Sequence, residues 1–183
     1  TLAARWKALT GAIPLERFGM TEIGVGMSNP LTAADRRPGW VGPPLPTVET
    51  RIVTEHGPAE LLIRGPSVFK GYWGRDEATR AAFDDGWFRT GDVAERAPDG
   101  YLRLLGRTSV DILKSGGYKL SALEIEEVLR RHDDVDDCAV VGIPDEAWGE
   151  RVVACVQTHR AVSEETLRAF VKEHLAPDKW PKQ

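Results

Sequence analysis

The hydrophobic pattern of the chain changes near its middle. In the first part, apolar residues come in short runs separated by Gly and Pro, as at 48–53 and 59–64, which predicts short strands joined by turns. The second part carries apolar residues at helical spacing, with strand-like runs at 138–142 and 152–157. The sequence therefore predicts an α+β fold, in which a small β-barrel-like subdomain precedes a compact α+β domain with a short sheet and flanking helices.

The helices of the second part have clear beginnings. Ser121 and Glu124 form a predicted capping box, and Ser163 is the predicted cap of a second helix. Weaker signals predict shorter helices at 2–9 and 76–83. The buried stripes expected of the two capped helices are Ile125, Val128 and Leu129 in the first, and Leu167, Phe170 and Val171 in the second.

Two further sets of side chains are expected in the interior. Cys138 and Cys155 lie in apolar, strand-like runs without CxxC spacing, so both are expected to be buried thiols in a reducing compartment. The aromatic residues between 69 and 88 are expected to be core residues, because aromatic side chains pack in cores more often than they line ligand sites. They are Phe69, Tyr72, Trp73, Phe83, Trp87 and Phe88.

A predicted hairpin separates two candidate ligand-binding residues. Residues 93–105 form two alternating segments around the turn signal at 98–100. Asp92 is expected in a Gly-flanked turn just before this hairpin and Arg107 just after it, so the hairpin would bring the carboxylate and the guanidinium together. Such a pair suits a vicinal diol such as a ribose. A structural ion pair between the same two side chains is the alternative.

A second candidate site is the glycine-rich loop expected around residues 16–26. Phe18 offers a flat face to a base, Thr21 offers a hydroxyl to a phosphate oxygen, and Glu22 offers a carboxylate oxygen to Mg²⁺. On its own this pattern is too common to specify a function. The glycines that would let a ligand approach the backbone are Gly19, Gly24 and Gly26.

Composition and charge argue against several kinds of partner. The 183 residues are 42% hydrophobic and 28% charged, with a net charge of −4, which gives no reason to expect a nucleic acid or an anionic membrane as partner. No apolar run is long enough to span a bilayer and no signal peptide is recognisable, so we expect a cytoplasmic protein. The chain starts within a predicted helix and stops in an apparent linker, which suggests a fragment of a longer protein.

Four segments, taken together and in this order, resemble the adenylate-forming acyl-CoA synthetases. They are 17–22, 60–73, 86–92 and 106–126. Within the last of them, residues 106–119 are similar in particular to the malonyl-CoA synthetase branch, which includes relatives that take methylmalonate. The resemblance implies that a carboxylic acid reacts with ATP to give an acyl-adenylate and pyrophosphate, and that the thiol of coenzyme A then displaces AMP.

The resemblance also implies roles for individual residues. Phe18 stands where an aromatic ring stacks on adenine, and Asp92 and Arg107 stand at the ribose. Thr21 stands where a hydroxyl meets the α-phosphate and Glu22 where a carboxylate holds Mg²⁺, so these two are the predicted catalytic residues. The other residues implied in cofactor binding are Gly19 and Met20 beside Phe18, and Ser115, Gly116 and Gly117 in a loop that lines the pantetheine channel for coenzyme A.

Arg17 carries the prediction of the substrate. Many relatives have a small or apolar residue at this position, whereas a guanidinium can bind the distal carboxylate of malonate or methylmalonate bidentately. The expected partners are therefore a small dicarboxylic acid, ATP and coenzyme A. One alternative is an adenylating ligase for a fatty or aromatic acid, and another is a non-catalytic binding module that keeps the fold.

The resemblance implies a division of the chain into three parts. Residues 1–106 are expected to be the C-terminal part of a large AMP-binding domain, and residues 112–183 a mobile C-terminal domain that is incomplete at its end. Residues 107–111 would form the hinge between them, with Ser109, Val110 or Asp111 as pivot. The family's phosphate loop would lie in a missing N-terminal part of the same enzyme, so the chain alone is expected to be inactive.

Overall fold

The computed structural model describes residues 2–54 and 59–183. These residues form two compact units, 2–104 and 105–183. The turn expected between the apolar runs at 48–53 and 59–64 falls mostly on residues 55–58, which lie outside the described residues. None of the described helices combines the length and the apolar composition that a membrane crossing requires.

The first unit consists mainly of antiparallel strands. Its elements are α1 (Leu2–Thr10), β1 (Arg17–Met20), β2 (Gly24–Ser28), a 3₁₀ helix (Ala33–Asp35), β3 (Glu49–Val53), β4 (Glu60–Arg64), α2 (Asp76–Ala81), β5 (Phe83–Asp84), β6 (Trp87–Arg96) and β7 (Leu102–Arg107). Strand β7 runs into the second unit. Strands β1 and β2 form a separate hairpin. The main sheet has the order β3-β4-β6-β5, and β7 pairs with β6 as the sequence predicts.

The core of the first unit packs around the middle of the main sheet. Leu61 and Ile63 of β4 belong to one apolar cluster, and Leu62, which points to the opposite face of the sheet, is also buried. Within the described residues this sheet is open and does not close into the predicted barrel-like form. The buried members of the cluster are Ile23, Met27, Val48, Leu61, Ile63, Phe88, Ala94 and Leu102.

The second unit is a four-stranded sheet with two helices. Its elements are β8 (Ile112–Ser115), β9 (Tyr118–Ser121), α3 (Ala122–Leu129), β10 (Val135–Asp145), β11 (Gly149–Thr158), α4 (Glu164–His174) and a 3₁₀ helix (Pro177–Lys179). The strand order is β10-β11-β8-β9, with antiparallel neighbours throughout. The predicted α+β fold is confirmed.

Both predicted helix caps are present. The Ser121 hydroxyl accepts a hydrogen bond from the Glu124 amide, and the Ser163 hydroxyl accepts one from the Thr166 amide, each at 3.1 Å. The capping box is only half formed, because the Glu124 carboxylate binds the Lys179 ammonium at 2.7 Å instead.

The apolar stripe predicted for α3 is buried throughout, whereas in the stripe predicted for α4 only Val171 is fully buried. The buried core of this unit consists of Leu113, Leu120, Ala122, Ile125, Leu129, Cys138, Val140, Val152 and Val171.

One of the two cysteine predictions is wrong. Cys138 is buried as expected, whereas Cys155 is exposed. In the β10–β11 ladder Cys155 pairs with Ala139, the immediate neighbour of Cys138. Because successive side chains of a strand point to opposite faces, Cys155 lies on the face of the sheet opposite to Cys138.

The aromatic residues divide between core and surface. Phe88 is buried, and Phe69 and Phe83 pack against the same cluster, so the core prediction is confirmed for these three. It is wrong for Tyr72 and Trp73, which are 38% and 100% exposed, because both lie in the surface loop before α2.

The helix predicted to reach residue 83 ends at Ala81, since Phe83 and Asp84 form β5. Trp87 of β6 is half-buried beneath the guanidinium groups of Arg51 and Arg64.

Candidate functional site

The segment expected to be a glycine-rich loop is a β-hairpin. Strands β1 and β2 pair from Arg17 opposite Ser28 to Met20 opposite Gly24, with a bulge between Phe18 and Gly19. A Cβ at Gly19 would lie 2.3 Å from the carbonyl oxygen of Gly24. The glycine at position 19 is therefore required because the two strands approach closely, and this requirement gives a structural reason for a glycine that the sequence pattern attributed to a ligand.

The hairpin separates its side chains between the core and the solvent. Phe18 and Met20 are half-buried and pack against the apolar cluster of the first unit. Arg17 is exposed, and within the described residues its guanidinium forms no ion pair. Phe18 thus keeps a partly open ring, and Arg17 offers a cation whose charge is available to a ligand.

The turn of this hairpin holds the two predicted catalytic residues. Thr21 is exposed, and Glu22 is half-buried. The Tyr72 hydroxyl donates a hydrogen bond to Glu22 Oε1 at 3.0 Å, and the Phe69 amide donates to the Glu22 carbonyl at 2.7 Å. Two causes raise the pKa of Tyr72 above its usual value: partial removal of the hydroxyl from water is the larger, and the hydrogen bond to Glu22 is the second. The hydroxyl therefore keeps the proton that it donates.

Tyr72 is a residue of this site that the sequence pattern assigned to the core. Its contact with Glu22 joins two positions separated by 50 residues, so no local periodicity reveals it. The signal that could have identified it is the position of Tyr72 in the 60–73 segment of the resemblance. In the structure it holds one carboxylate oxygen of Glu22 and leaves the other without a hydrogen bond from the described residues.

The carboxylate of Glu22 fits a magnesium ion bound together with phosphate oxygens. Mg²⁺ is commonly held by one or two carboxylates together with substrate phosphates and water. One half-buried carboxylate with a free oxygen meets that requirement. The described residues contain no cluster of three or more His, Cys, Asp or Glu side chains that could form an all-protein metal cage.

Asp92 lies within a strand and not in the predicted turn. It belongs to β6 and is 6% exposed. The preceding Gly91 has φ of +73°, a conformation that glycine adopts at little cost. The glycine-flanked pattern therefore marks an irregularity inside β6.

Arg107 is the last residue of β7 and is exposed in the second unit. Its amide donates to the Asp111 carboxylate at 2.8 Å, and the Asp111 amide donates to the Arg107 carbonyl at 2.8 Å. These reciprocal bonds close the predicted hinge segment into a turn, with Ser109 and Val110 exposed at its tip. That Asp92 and Arg107 face one ligand stays a prediction, because the two residues belong to different units.

The predicted Gly-Gly turn joins β8 to β9. Ser115 pairs with Tyr118, so Gly116 and Gly117 form a two-residue hairpin loop with φ of +58° and +82°. Ser115 itself is 4% exposed, and Gly116 and Gly117 are exposed. The two glycines are therefore explained by the turn geometry, whatever they bind.

Trp148 packs on this turn, a contact that the sequence did not indicate. The Gly116 amide donates to the Trp148 carbonyl at 2.8 Å, and a Cβ at Gly116 would lie 2.9 Å from the Trp148 ring. The Lys182 ammonium lies 4.5 Å from the centre of the same ring. The Gly-Gly turn is thus backed by an aromatic side chain from the β10–β11 loop.

Two family profiles match most of the chain. A profile described as AMP-binding enzyme matches residues 1–73. A second, described as AMP-binding enzyme C-terminal domain, matches residues 124–183.

The chain is similar to curated proteins and solved structures over nearly its whole length. It is 48% identical to the mitochondrial malonate–CoA ligase ACSF3 of Bos taurus over 203 aligned positions, which cover 94% of this chain and 34% of that protein. It matches the crystal structure of ATP-bound MatB from Rhodopseudomonas palustris with 38% identity and a TM-score of 0.89, over 98% of this chain and 38% of the other. The anthranilate CoA ligase AuaEII, solved with anthranoyl-AMP, gives 31% identity and a TM-score of 0.86 over 99% and 37%. The chain thus spans about a third of the length of these relatives.

Proposed function

Because the chain belongs to the AMP-binding enzyme family, we propose that it is the C-terminal part of an AMP-forming acid–CoA ligase. In the proposed reaction a substrate carboxylate oxygen attacks the α-phosphorus of ATP, which forms an acyl-adenylate and releases pyrophosphate. The thiol sulfur of coenzyme A then attacks the acyl carbon, forms the thioester and releases AMP. Catalysis of such transfers rests on positioning and on neutralising charge around the reacting phosphate.

The observation that carries this proposal is the turn that presents Thr21 and Glu22. The Thr21 hydroxyl is exposed and would donate to an oxygen of the α-phosphate. Tyr72 fixes the Glu22 carboxylate, which would hold Mg²⁺. When bound there, the ion would supply positive charge to the phosphate oxygens.

The nucleotide would be bound by residues of the first unit. The half-buried ring of Phe18, with Gly19 and Met20 beside it, would contact the adenine base. Asp92 would accept hydrogen bonds from the ribose hydroxyls. The assignment of Arg107 to the same sugar stays a prediction from the sequence.

Coenzyme A would be bound through the second unit. The Gly-Gly turn at 116–117, with Ser115 before it, would line the path of the pantetheine arm, since glycine has no side chain to obstruct a thin ligand. Residues 107–111 would form the hinge between the parts of the enzyme. In this structure hydrogen bonds between Arg107 and Asp111 close the turn, so a hinge rotation at Ser109 or Val110 would have to break them.

The proposed acid substrate is a short dicarboxylate, malonate or methylmalonate. The exposed Arg17 guanidinium, with no ion pair to the described residues, is suited to bind a second carboxylate bidentately. The name of the bovine relative, a malonate–CoA ligase, supports the same substrate class. The compartment also stays a prediction, because the sequence suggests the cytoplasm whereas that relative's name includes the word mitochondrial.

A ligase for an aromatic acid is the second candidate. The match to an anthranilate CoA ligase, whose title names anthranoyl-AMP, favours it. An aromatic monocarboxylate has no distal carboxylate for Arg17 to bind, so the two candidates differ in what they require of that side chain.

Replacing Arg17 in the complete enzyme separates the two candidates. We expect Arg17→Ala to raise the activation free energy for malonate, measured from kcat/KM, by roughly 2–5 kcal/mol, the usual cost of removing one partner of a charge pair that is buried in the bound complex. The matched control is Arg80→Ala, which removes an exposed arginine of α2. Activity would be followed as pyrophosphate release with malonate, methylmalonate, acetate and anthranilate. Equal losses on malonate and on the monocarboxylates would show that Arg17 is only structural.

A further inference from the structure

Strand β6 contains a bulge directly at Asp92. In the pairing of β4 with β6, Leu62 lies opposite Arg89 and Glu60 lies opposite Val93. Three residues of β6, 90–92, therefore face the single residue Leu61. Bulges of this kind bend a strand and redirect a side chain, and they are over-represented beside active sites.

Side chains replace the ladder hydrogen bonds that this bulge interrupts. The buried Thr90 hydroxyl donates to the Leu61 carbonyl at 2.7 Å and accepts from the Asp92 amide at 3.0 Å. Glu60 Oε1 accepts from the Gly91 amide at 3.2 Å. The amides of both Gly91 and Asp92 are thus held by side chains, which fixes the backbone on which Asp92 is carried.

The carboxylate of Glu60 is itself fixed. Its second oxygen, Oε2, accepts two hydrogen bonds from the Arg89 guanidinium, at 3.1 and 2.6 Å. The Glu60 side chain is 15% exposed and that of Arg89 is 50% exposed. The hydrogen bond to Glu60 raises the pKa of Arg89 above its usual value, so the guanidinium stays charged at any ordinary pH. One carboxylate therefore joins the exposed guanidinium to the backbone of the bulge.

We propose that Glu60 is a positioning residue that sets the direction of the Asp92 carboxylate through the Gly91 amide, and that Thr90 shares this role through the Asp92 amide. This inference rests on the proposed function, in which Asp92 binds the ribose of ATP. Glu60 touches no substrate in this arrangement. It keeps the bulge in the one conformation that presents Asp92 to the sugar.

A sugar-specific kinetic readout tests the proposal in the complete ligase. Acid-dependent exchange of pyrophosphate into ATP is measured with ATP, 2′-deoxy-ATP and 3′-deoxy-ATP, and the discrimination is the ratio of kcat/KM for ATP to that for each analogue. For at least one analogue we expect this ratio to fall about 5-fold or more in Glu60→Ala and about 2-fold in Glu60→Gln, with the KM for the acid unchanged.

The matched control is Glu49→Ala. Glu49 binds Arg64 across β3 and β4 of the same sheet through two hydrogen bonds, at 3.2 and 2.5 Å, but it holds no amide of the bulge. We expect Glu49→Ala to leave the discrimination unchanged. If Glu60→Ala does not fold, Glu60→Gln decides the result.

The outcomes separate the two levels of inference. If the unmodified enzyme shows no acid-dependent exchange, or shows exchange without any preference for ATP over both analogues, the proposed ribose site fails and the role of Glu60 fails with it. If the unmodified enzyme prefers ATP and both Glu60 variants lower kcat/KM by the same factor for all three nucleotides, only the positioning role is overturned. A loss of discrimination in Glu49→Ala as large as in Glu60→Ala would also overturn it.

Discussion

Alanine at position 116 should conflict with Trp148, and the size of that conflict can be worked out from the turn. A Cβ at Gly116 would lie 2.9 Å from the Trp148 ring, whereas a Cβ at Gly117 meets no atom within 4 Å. Both residues have positive φ, so either alanine costs about 1–2 kcal/mol of backbone strain. Only Gly116→Ala adds overpacking, which costs about 1–3 kcal/mol in a packed site. Because Trp148 is 43% exposed and can shift, we expect about 1 kcal/mol for this steric part.

A double-mutant cycle isolates the steric part from the backbone part. Native-state hydrogen exchange gives the opening free energy of the β8 and β9 amides in Gly116→Ala, Trp148→Ala and the double variant. The same cycle with Gly117→Ala is the matched control. We expect a coupling of about 1 kcal/mol between positions 116 and 148, and none between 117 and 148. Equal coupling for the two glycines, or none for either, would refute the contact between Gly116 and Trp148 as the cause.

Three side chains outside the Gly-Gly turn give further predictions. Tyr72→Phe removes the hydroxyl bound to Glu22, so the Mg²⁺ concentration for half-maximal activity of the complete ligase should rise about 3- to 10-fold. The control is Tyr101→Phe, which removes a hydroxyl bound to a backbone carbonyl and should leave this Mg²⁺ concentration unchanged. An unchanged Mg²⁺ dependence in Tyr72→Phe would contradict a role in orienting Glu22. Cys155 should react with a thiol reagent in the folded chain and Cys138 only after unfolding, with Cys155→Ser abolishing the fast reaction. Burial raises the pKa of Cys138, so its contribution to stability is complete below the unfolded thiol pKa of about 8.5 and is lost as the pH rises through the folded value. Urea unfolding of the chain and of Cys138→Ala between neutral and alkaline pH checks this, and equal pH dependence in both would contradict it.

The parts of the fold that local sequence determines were predictable. The Ser121 and Ser163 caps depend on residues three positions apart, and the Gly-Gly turn depends on two consecutive glycines that can adopt positive φ. These features follow from short stretches of chain, so the pattern of residues is sufficient to identify them.

The parts that depend on partner strands were not predictable in the same way. The bulge at Asp92 exists because β4 and β6 pair with a shifted register, and Cys155 is exposed because its place in the ladder assigns it to the outer face. The contact between Tyr72 and Glu22 joins a loop to a hairpin turn. No spacing within a single segment encodes such contacts, although the resemblance included the segments that form the bulge and the contact between Tyr72 and Glu22.

The central question is whether the complete protein containing this chain activates a short dicarboxylic acid. The decisive measurement is acid-dependent exchange of labelled pyrophosphate into ATP, with malonate, methylmalonate, acetate and anthranilate as separate acids. We predict that malonate or methylmalonate supports exchange far better than the two monocarboxylates. Exchange with none of the four acids, or equal exchange with all of them, would contradict the account.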